Sequence, residues 1–339
     1  MPDNRSSMPI RLGVTGCGII SRAHVQAALN ARDVEVTAVS SRNPSAVAAI
    51  CEEYGIASQY SDWRELVASD DIDAIVICLP DGLHEQATVE AARYGKHVLV
   101  EKPMGNNLGQ CKAMVSAADE AGVVLMVAQV VRQLSSHQLA KKLIQDGRIG
   151  SVSKAIRKRH WQLGLSMEET AKRPWMANAH LCTDALLFGL GSHEYDALLW
   201  FFESEAGEVV ARGEKDQAIW PGWLSIEGSV DLRNGVEVAV SLSLQSDEKV
   251  WDTQIEGSKG TMTIYDDRLV VDGEVTECPS RDAVFVDQLN EFADCVREGR
   301  DPGPSGRNVL ATMALLDGVI ESMRDGSSVE IEEIGVRWQ

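Results

Sequence analysis

The stretch GVTGCGIISRAH, residues 13–24, restricts the possible folds more than any other part of the chain. It ends an apolar run, 10–16, and opens a segment whose apolar residues Val25, Ala28 and Leu29 have helical spacing. Within it, Gly16-Cys17-Gly18-Ile19-Ile20-Ser21 is G-x-G-x-x-S in a strand-to-helix context, the setting in which such a loop binds a dinucleotide. Gly16 permits a tight turn, Gly18 leaves room for a pyrophosphate against the backbone, and Ser21 lets the helix pack closely. The helix N-terminus adds N–H donors and partial positive charge. The alternative is an ordinary glycine-rich turn, and the pattern of the next hundred residues argues against it.

Short apolar runs at 10–16, 34–40, 73–79, 96–101 and 123–128 alternate with helical patterns such as Ala87, Val89, Ala91 and Ala92. That alternation predicts a parallel sheet with helices on both faces and right-handed connections, the doubly wound Rossmann arrangement. In such folds an acidic residue at the end of the second strand usually accepts from the ribose 2′-OH. Here that strand ends in Ser40, Ser41 and Arg42. A hydroxyl and a guanidinium suit a 2′-phosphate, which a carboxylate would repel, so the cofactor expected is NADP(H) rather than NAD(H). The plainer alternative makes Arg42 a solvated loop residue.

At 339 residues the chain is long enough for two domains. The first is expected at 8–129 and the second at 130–339. No apolar run approaches the ~18 residues of a membrane span, and the segment MPDNRSSMPI lacks a long apolar core, so a cytoplasmic protein is expected. The seven scattered cysteines contain no C-x-x-C pair and suggest reduced thiols rather than a disulfide framework or a metal site. A net charge of −19 argues against a nucleic-acid partner. After Gly150 the strands alternate in character, at SVSKAIRKRHW, GEVVARGEKD, LSIEGSVDL, VEVAVSLSL, VWDTQIEGS, GTMTIYD and RLVVDG. Glycine-containing turns separate several of them, which predicts mainly antiparallel pairing. Helical segments near 283–299 and 306–325 close the chain.

Through ICLPDGLHEQ (77–86), GKHVLVEKP (95–103), IQDGRIGSV and GSHEYDALLWFF (191–202), the chain resembles the Gfo/Idh/MocA oxidoreductases. The resemblance covers most of the sequence. It implies a Rossmann domain followed by an α+β domain with a large open, mainly antiparallel sheet, through which many relatives form homodimers or homotetramers. It also implies that the Glu101-Lys102-Pro103 turn, cis in many relatives, places the Lys102 amine beside the nicotinamide with Glu101 orienting the turn. Pro80 and His84 join Gly16, Gly18, Ile19, Ile20, Ser41, Arg42, Glu101 and Lys102 as the expected cofactor-binding set. His97 is expected to be structural.

The family carries D-x-G-x-H-x-x-D on a helix of the second domain. Gly191, His193 and Asp196 match three of its places, but the first is Gly189. A preceding glycine-rich step is replaced by Thr183, Asp184 and Ala185. The family's catalytic aspartate therefore has no assignable counterpart. Oxidising a secondary alcohol needs a base for the hydroxyl proton and a positive group for the developing alkoxide. His193 and Lys102 suit these two tasks. Asp196, at i+3 from His193, either orients the imidazole or caps a turn. Arg132 either faces substrate or forms a surface ion pair, and His160 and Trp161 either contact a sugar or pack. Together with Asp184 and Asp196 these form the candidate substrate set. The function expected is hydride transfer between nicotinamide and a sugar, cyclitol or related polyol. The competing expectation is a catalytically silent dinucleotide sensor, motivated by Gly189.

Overall fold

A computed structural model describes residues 8–162, 174–217, 220–279 and 283–338. The chain divides into two compact units: Met1–Gly105 with Gly109–Val130 and Asp282–Gly306, and Asn106–Leu108 with Val131–Arg281 and Arg307–Gln339.

The first unit contains β1 (Ile10–Thr15), β2 (Val34–Ser40), β3 (Ser58–Tyr60), β4 (Ala74–Ile77), β5 (His97–Val100) and β6 (Leu125–Val127) in one sheet of order β3-β2-β1-β4-β5-β6. All of its strand pairs are parallel. The helices are α1 (Ile19–Ala28), α2 (Pro44–Tyr54), α3 (Trp63–Ala68), α4 (His84–Arg93), α5 (Leu108–Ala121) and, from late in the chain, α8 (Val284–Glu298). Every residue of β4 is buried, as an apolar strand covered on both faces should be. Leu289, Phe292 and Ala293 of α8 join Leu12 and Val14 of β1 and Val25 and Ala28 of α1 in one core. The edge strand β3 has no counterpart among the expected strands because its three residues, SQY, carry no apolar signal and pair with β2 through backbone alone.

The second unit is built on a nine-stranded sheet, β14-β13-β12-β11-β7-β10-β9-β8-β15. Its long strands are β7 (Val152–Gln162), β8 (Ala206–Glu214), β9 (Ser225–Leu232), β10 (Glu237–Ser243) and β11 (Gln245–Gly257). The shorter ones are β12 (Gly260–Ile264), β13 (Arg268–Val271), β14 (Glu274–Glu277) and β15 (Val329–Glu330). Pairing is antiparallel except between β7 and β10. Helices α6 (Ser135–Gln145), α7 (Ser192–Phe202) and α9 (Gly306–Asp325) complete it, and a π-helical segment, Ala185–Gly191, runs straight into α7. β14 and β15 were not expected from the sequence: every residue of β14 is exposed and β15 has only two residues, so neither carries a core pattern.

Parallel strands all leave the sheet at the same edge. The loops after β1, β2, β4 and β5 therefore gather at one edge of the first unit, with the change in strand order lying between β1 and β4. Gly16 has φ +85°, and a Cβ there would stand 2.2 Å from the Cys78 carbonyl oxygen. Gly16→Ala is thus expected to cost about 3 kcal/mol or more, from left-handed strain plus a backbone clash, visible as a lowered denaturant midpoint.

Candidate active site

The loop after β1 is shaped from its own residues. Gly16 N–H donates to the Ser40 carbonyl at 2.9 Å, and Ser21 Oγ donates to the Gly18 carbonyl at 2.7 Å, so the first turn of α1 is tied down on its buried side. At Gly18, by contrast, no described residue other than its chain neighbours lies within 4 Å of where a Cβ would stand. The N-terminus of α1 is therefore open along its backbone, and Ile19 beside it is 81% exposed. This is a cradle that fits a pyrophosphate: close backbone, free approach and helix-end donors. At the end of β2, Ser40 is buried and donates to Thr15 Oγ1, Ser41 is half-buried, and Arg42 is exposed. Pro80 opens the short turn after β4.

The turn after β5 is held from both sides. Lys102–Pro103 is a cis peptide. Glu101, Pro103, Met104 and Gly105 are buried, and Lys102 is the one residue of the five that is only half-buried. One Glu101 oxygen, Oε1, lies 2.8 Å from His24 Nε2 of α1, and the other accepts the Lys102 backbone N–H at 3.1 Å. Burial works to raise the Glu101 carboxyl, but the His24 bond and charge, the Lys102 charge and the Lys102 N–H together outweigh it and hold the group below the usual carboxylate range. The Cys78 thiol, at the end of β4, is pushed well up by burial and secondarily by the Glu101 charge.

His84 is fully buried and does not present its ring at the open edge. Its Nδ1 lies 2.9 Å from the Pro103 carbonyl and its Nε2 2.8 Å from the Leu79 carbonyl. The His84 and Glu101 side chains are thus buried supports of the loops that surround the cradle, and Glu101 ties down the turn as expected of it. His97 is structural as expected, its Nδ1 accepting the Val124 N–H at 3.0 Å, and burial depresses its imidazole.

In the second unit His193 lies in the first turn of α7 and is half-buried, whereas nearly every other residue of that helix is buried. Asp196 does not serve His193. Arg132 grips it bidentately, Nε to Oδ2 and Nη2 to Oδ1 both at 2.7 Å, and Thr312 donates to Oδ1 at 3.0 Å. Arg132 and Asp196 are 3% and 1% exposed, so the ion pair expected of Arg132 at the surface is a buried brace. Asp184 is also structural: Oδ1 accepts the N–H groups of Leu186 and Leu187, Oδ2 that of Trp223, and burial raises its carboxyl despite these bonds. It caps the π-helical segment. Beyond its chain neighbours and its own helix backbone, no described residue stands within 4 Å of where a Cβ would sit at Gly189, so the space beside this glycine is open.

His160 and Trp161 cannot flank one ligand, because neighbours on a strand face opposite ways. His160 bonds Ser241 Oγ at 2.7 Å on the outer face, and burial lowers its imidazole. Trp161 shares the face of Arg157 and Arg159, both paired to Glu194 of α7, and meets Trp251 edge-to-face at 5.8 Å. Sequence reasoning missed Glu194 and His24. The available signal for His24 was its place with Ser21, Val25 and Ala28 on the buried stripe of α1.

Asp196→Asn is expected to leave Arg132 buried without its charge partner and to destabilise the protein by about 3–5 kcal/mol, measured by chemical denaturation.

Comparison with known proteins adds independent findings. Residues 10–129 match the family model described as "Oxidoreductase family, NAD-binding Rossmann fold", and residues 137–263 match "GFO/IDH/MocA C-terminal domain". The chain is 26% identical over 309 residues to 4-carboxy-2-hydroxymuconate-6-semialdehyde dehydrogenase of Sphingobium sp., covering 89% of this chain and 95% of that protein. It is 25% identical over 346 residues to inositol 2-dehydrogenase of Rhizobium meliloti, covering 96% and 100%. Levoglucosan dehydrogenase, solved with NADH and levoglucosan, superposes with a TM-score of 0.89 at 20% identity, covering 96% and 100%, which speaks to the fold.

Proposed function

Since both halves of the chain match its models, the chain belongs to the Gfo/Idh/MocA family of nicotinamide-dependent oxidoreductases, and we propose that it is an NADP(H)-dependent dehydrogenase of a sugar, cyclitol or related polyol. The observation that carries this reading is the Glu-Lys-Pro turn, which buries its neighbours and leaves Lys102 only half-buried at the open edge of the Rossmann sheet. Bound nicotinamide supplies the hydride acceptor or donor. The chain's own residues do the rest. Gly16, Gly18 and the N-terminus of α1 hold the pyrophosphate, and Ile19 and Ile20 cover it. Lys102 stabilises negative charge on the substrate oxygen during oxidation and polarises the carbonyl during reduction. His193 takes the hydroxyl proton, or returns it. With Asp196 committed to Arg132 and glycine at 189, His193 does this without a carboxylate from the family motif.

The NADP preference rests on Ser41 and Arg42 at the end of β2, where no carboxylate stands. The outer face of the nine-stranded sheet, with Ile156, Lys158 and His160 only half-buried, suits a homodimer or homotetramer contact. All seven cysteines are thiols rather than disulfides, a state that a reducing cytoplasm suits. No helix among the described residues is long and apolar enough to cross a membrane. Gly189 favours one competing reading, a dinucleotide sensor without turnover.

Three measurements decide. Absorbance at 340 nm with NADP(H) should change for at least one member of a panel of sugars, inositols and keto-sugars; tight NADPH binding with no turnover across the panel would favour the sensor. Lys102→Met should lower kcat by roughly a thousandfold or more while NADPH affinity, read by nicotinamide fluorescence, stays within about twofold. Arg42→Ala should weaken NADPH by about tenfold and leave NADH unchanged, since it removes one charge-assisted phosphate contact.

A further inference from the structure

We propose that His24 is a positioning residue: from the buried face of α1 it holds the Glu101 carboxylate, and through it the backbone of Lys102, in the orientation that Lys102 chemistry requires. This rests on the role proposed for Lys102 in hydride transfer.

The geometry is specific. His24 is 0% exposed and lies 77 residues from Glu101 in sequence, yet its Nε2 stands 2.8 Å from Glu101 Oε1. An ionised carboxylate only accepts, so Nε2 carries the proton and donates. His24 Nδ1 has no hydrogen-bond partner among the described residues, and the ring packs edge-on against Phe285 of α8 at 5.2 Å and 86°. The imidazole is thus fixed by packing on one side, and its polar bond on the other goes to Glu101. Glu101 passes that hold on, because its second oxygen takes the Lys102 N–H and its own N–H donates to the Ile77 carbonyl of β4. On the far side of Lys102, His84 of α4 meets the Pro103 carbonyl. The residues flanking Lys102 are therefore gripped by imidazoles from two different helices, which leaves the backbone of Lys102 little freedom.

The titratable groups facing Glu101 are His24 from α1, Lys102 from its own turn and the Cys78 thiol from the end of β4. Burial alone raises a carboxyl, and here the His24 bond is the foremost of the influences that oppose it. A folded-state carboxyl held low stays charged until pH falls through its own value. Without His24 that value rises, and Glu101 protonates nearer neutrality. The protonated acid then grips the Lys102 N–H less firmly.

The test compares wild type, His24→Gln, which keeps a donor, and His24→Leu, which does not. Amide hydrogen exchange of the ligand-free protein, corrected for intrinsic rates, reads the Lys102 amide at pH 7 and 5.5. His24→Leu should lower its protection by roughly ten- to hundredfold, more at pH 5.5, while β1 and β4 stay protected; His24→Gln should remain within about threefold of wild type. With whichever pair turns over in the 340 nm panel, NADP+ with the polyol or NADPH with the keto-sugar, His24→Leu should shift the acid limb of kcat/KM to higher pH and His24→Gln should not. Unchanged protection in His24→Leu, equal loss throughout the sheet, or equal loss in the glutamine variant overturns the proposal. Full turnover by Lys102→Met would overturn the function proposed for that lysine, and the exchange result would still decide whether His24 holds the turn.

Discussion

An ionised carboxylate buried where a strand leaves its sheet is the constraint on which the first unit's functional edge depends. Glu101 is 7% exposed, and in that setting a lone charge would be neutralised or driven out. It remains charged because both oxygens are occupied, one by His24 and one by the Lys102 backbone. The same two bonds link α1, which begins at the glycine loop, to the turn after β5. The element that offers donors to a pyrophosphate and the element that carries the lysine are thus one hydrogen-bonded assembly.

The second unit stabilises its helix α7 in a comparable way with more charge. Glu194 pairs with Arg157 and Arg159, and Asp196 with Arg132, all of them buried. Such pairs are costly to desolvate, and their net contribution to stability is small, but each is demanding of geometry. They fix the rotation of α7 about its axis and therefore which residue remains half-buried in its first turn. That residue is His193. The π-helical segment before it, capped by Asp184, brings Gly189 into the same run without a side chain of its own.

Much of this is legible in the sequence wherever the information is local. The strands β1, β2, β4 and β5 announce themselves by apolar runs, and the glycine loop by spacing that only a tight turn and close helix packing explain. The alternating strands of the second half are equally plain, because one face of each is buried and the other is not. What escapes are elements without a core pattern, β3, β14 and β15, and polar side chains whose role depends on a distant partner. Arg132, Asp184 and Asp196 are the residue types that bind a polyol, and composition alone cannot separate that use from bracing a helix. His160 and Trp161 are neighbours in sequence, and the pleat of β7 sends them to opposite faces.

The sequence by itself determined the fold class, the two-part organisation and the chemistry offered by the glycine loop and the Glu-Lys-Pro turn, because periodicity and backbone conformational limits act over a few residues. Only the tertiary structure decided which polar groups are already engaged. His24 meets Glu101 across 77 residues and Arg132 meets Asp196 across 64, and no local pattern records a partner that far away. Burial makes those pairings obligatory, since a polar group removed from water must find a partner wherever the fold supplies one.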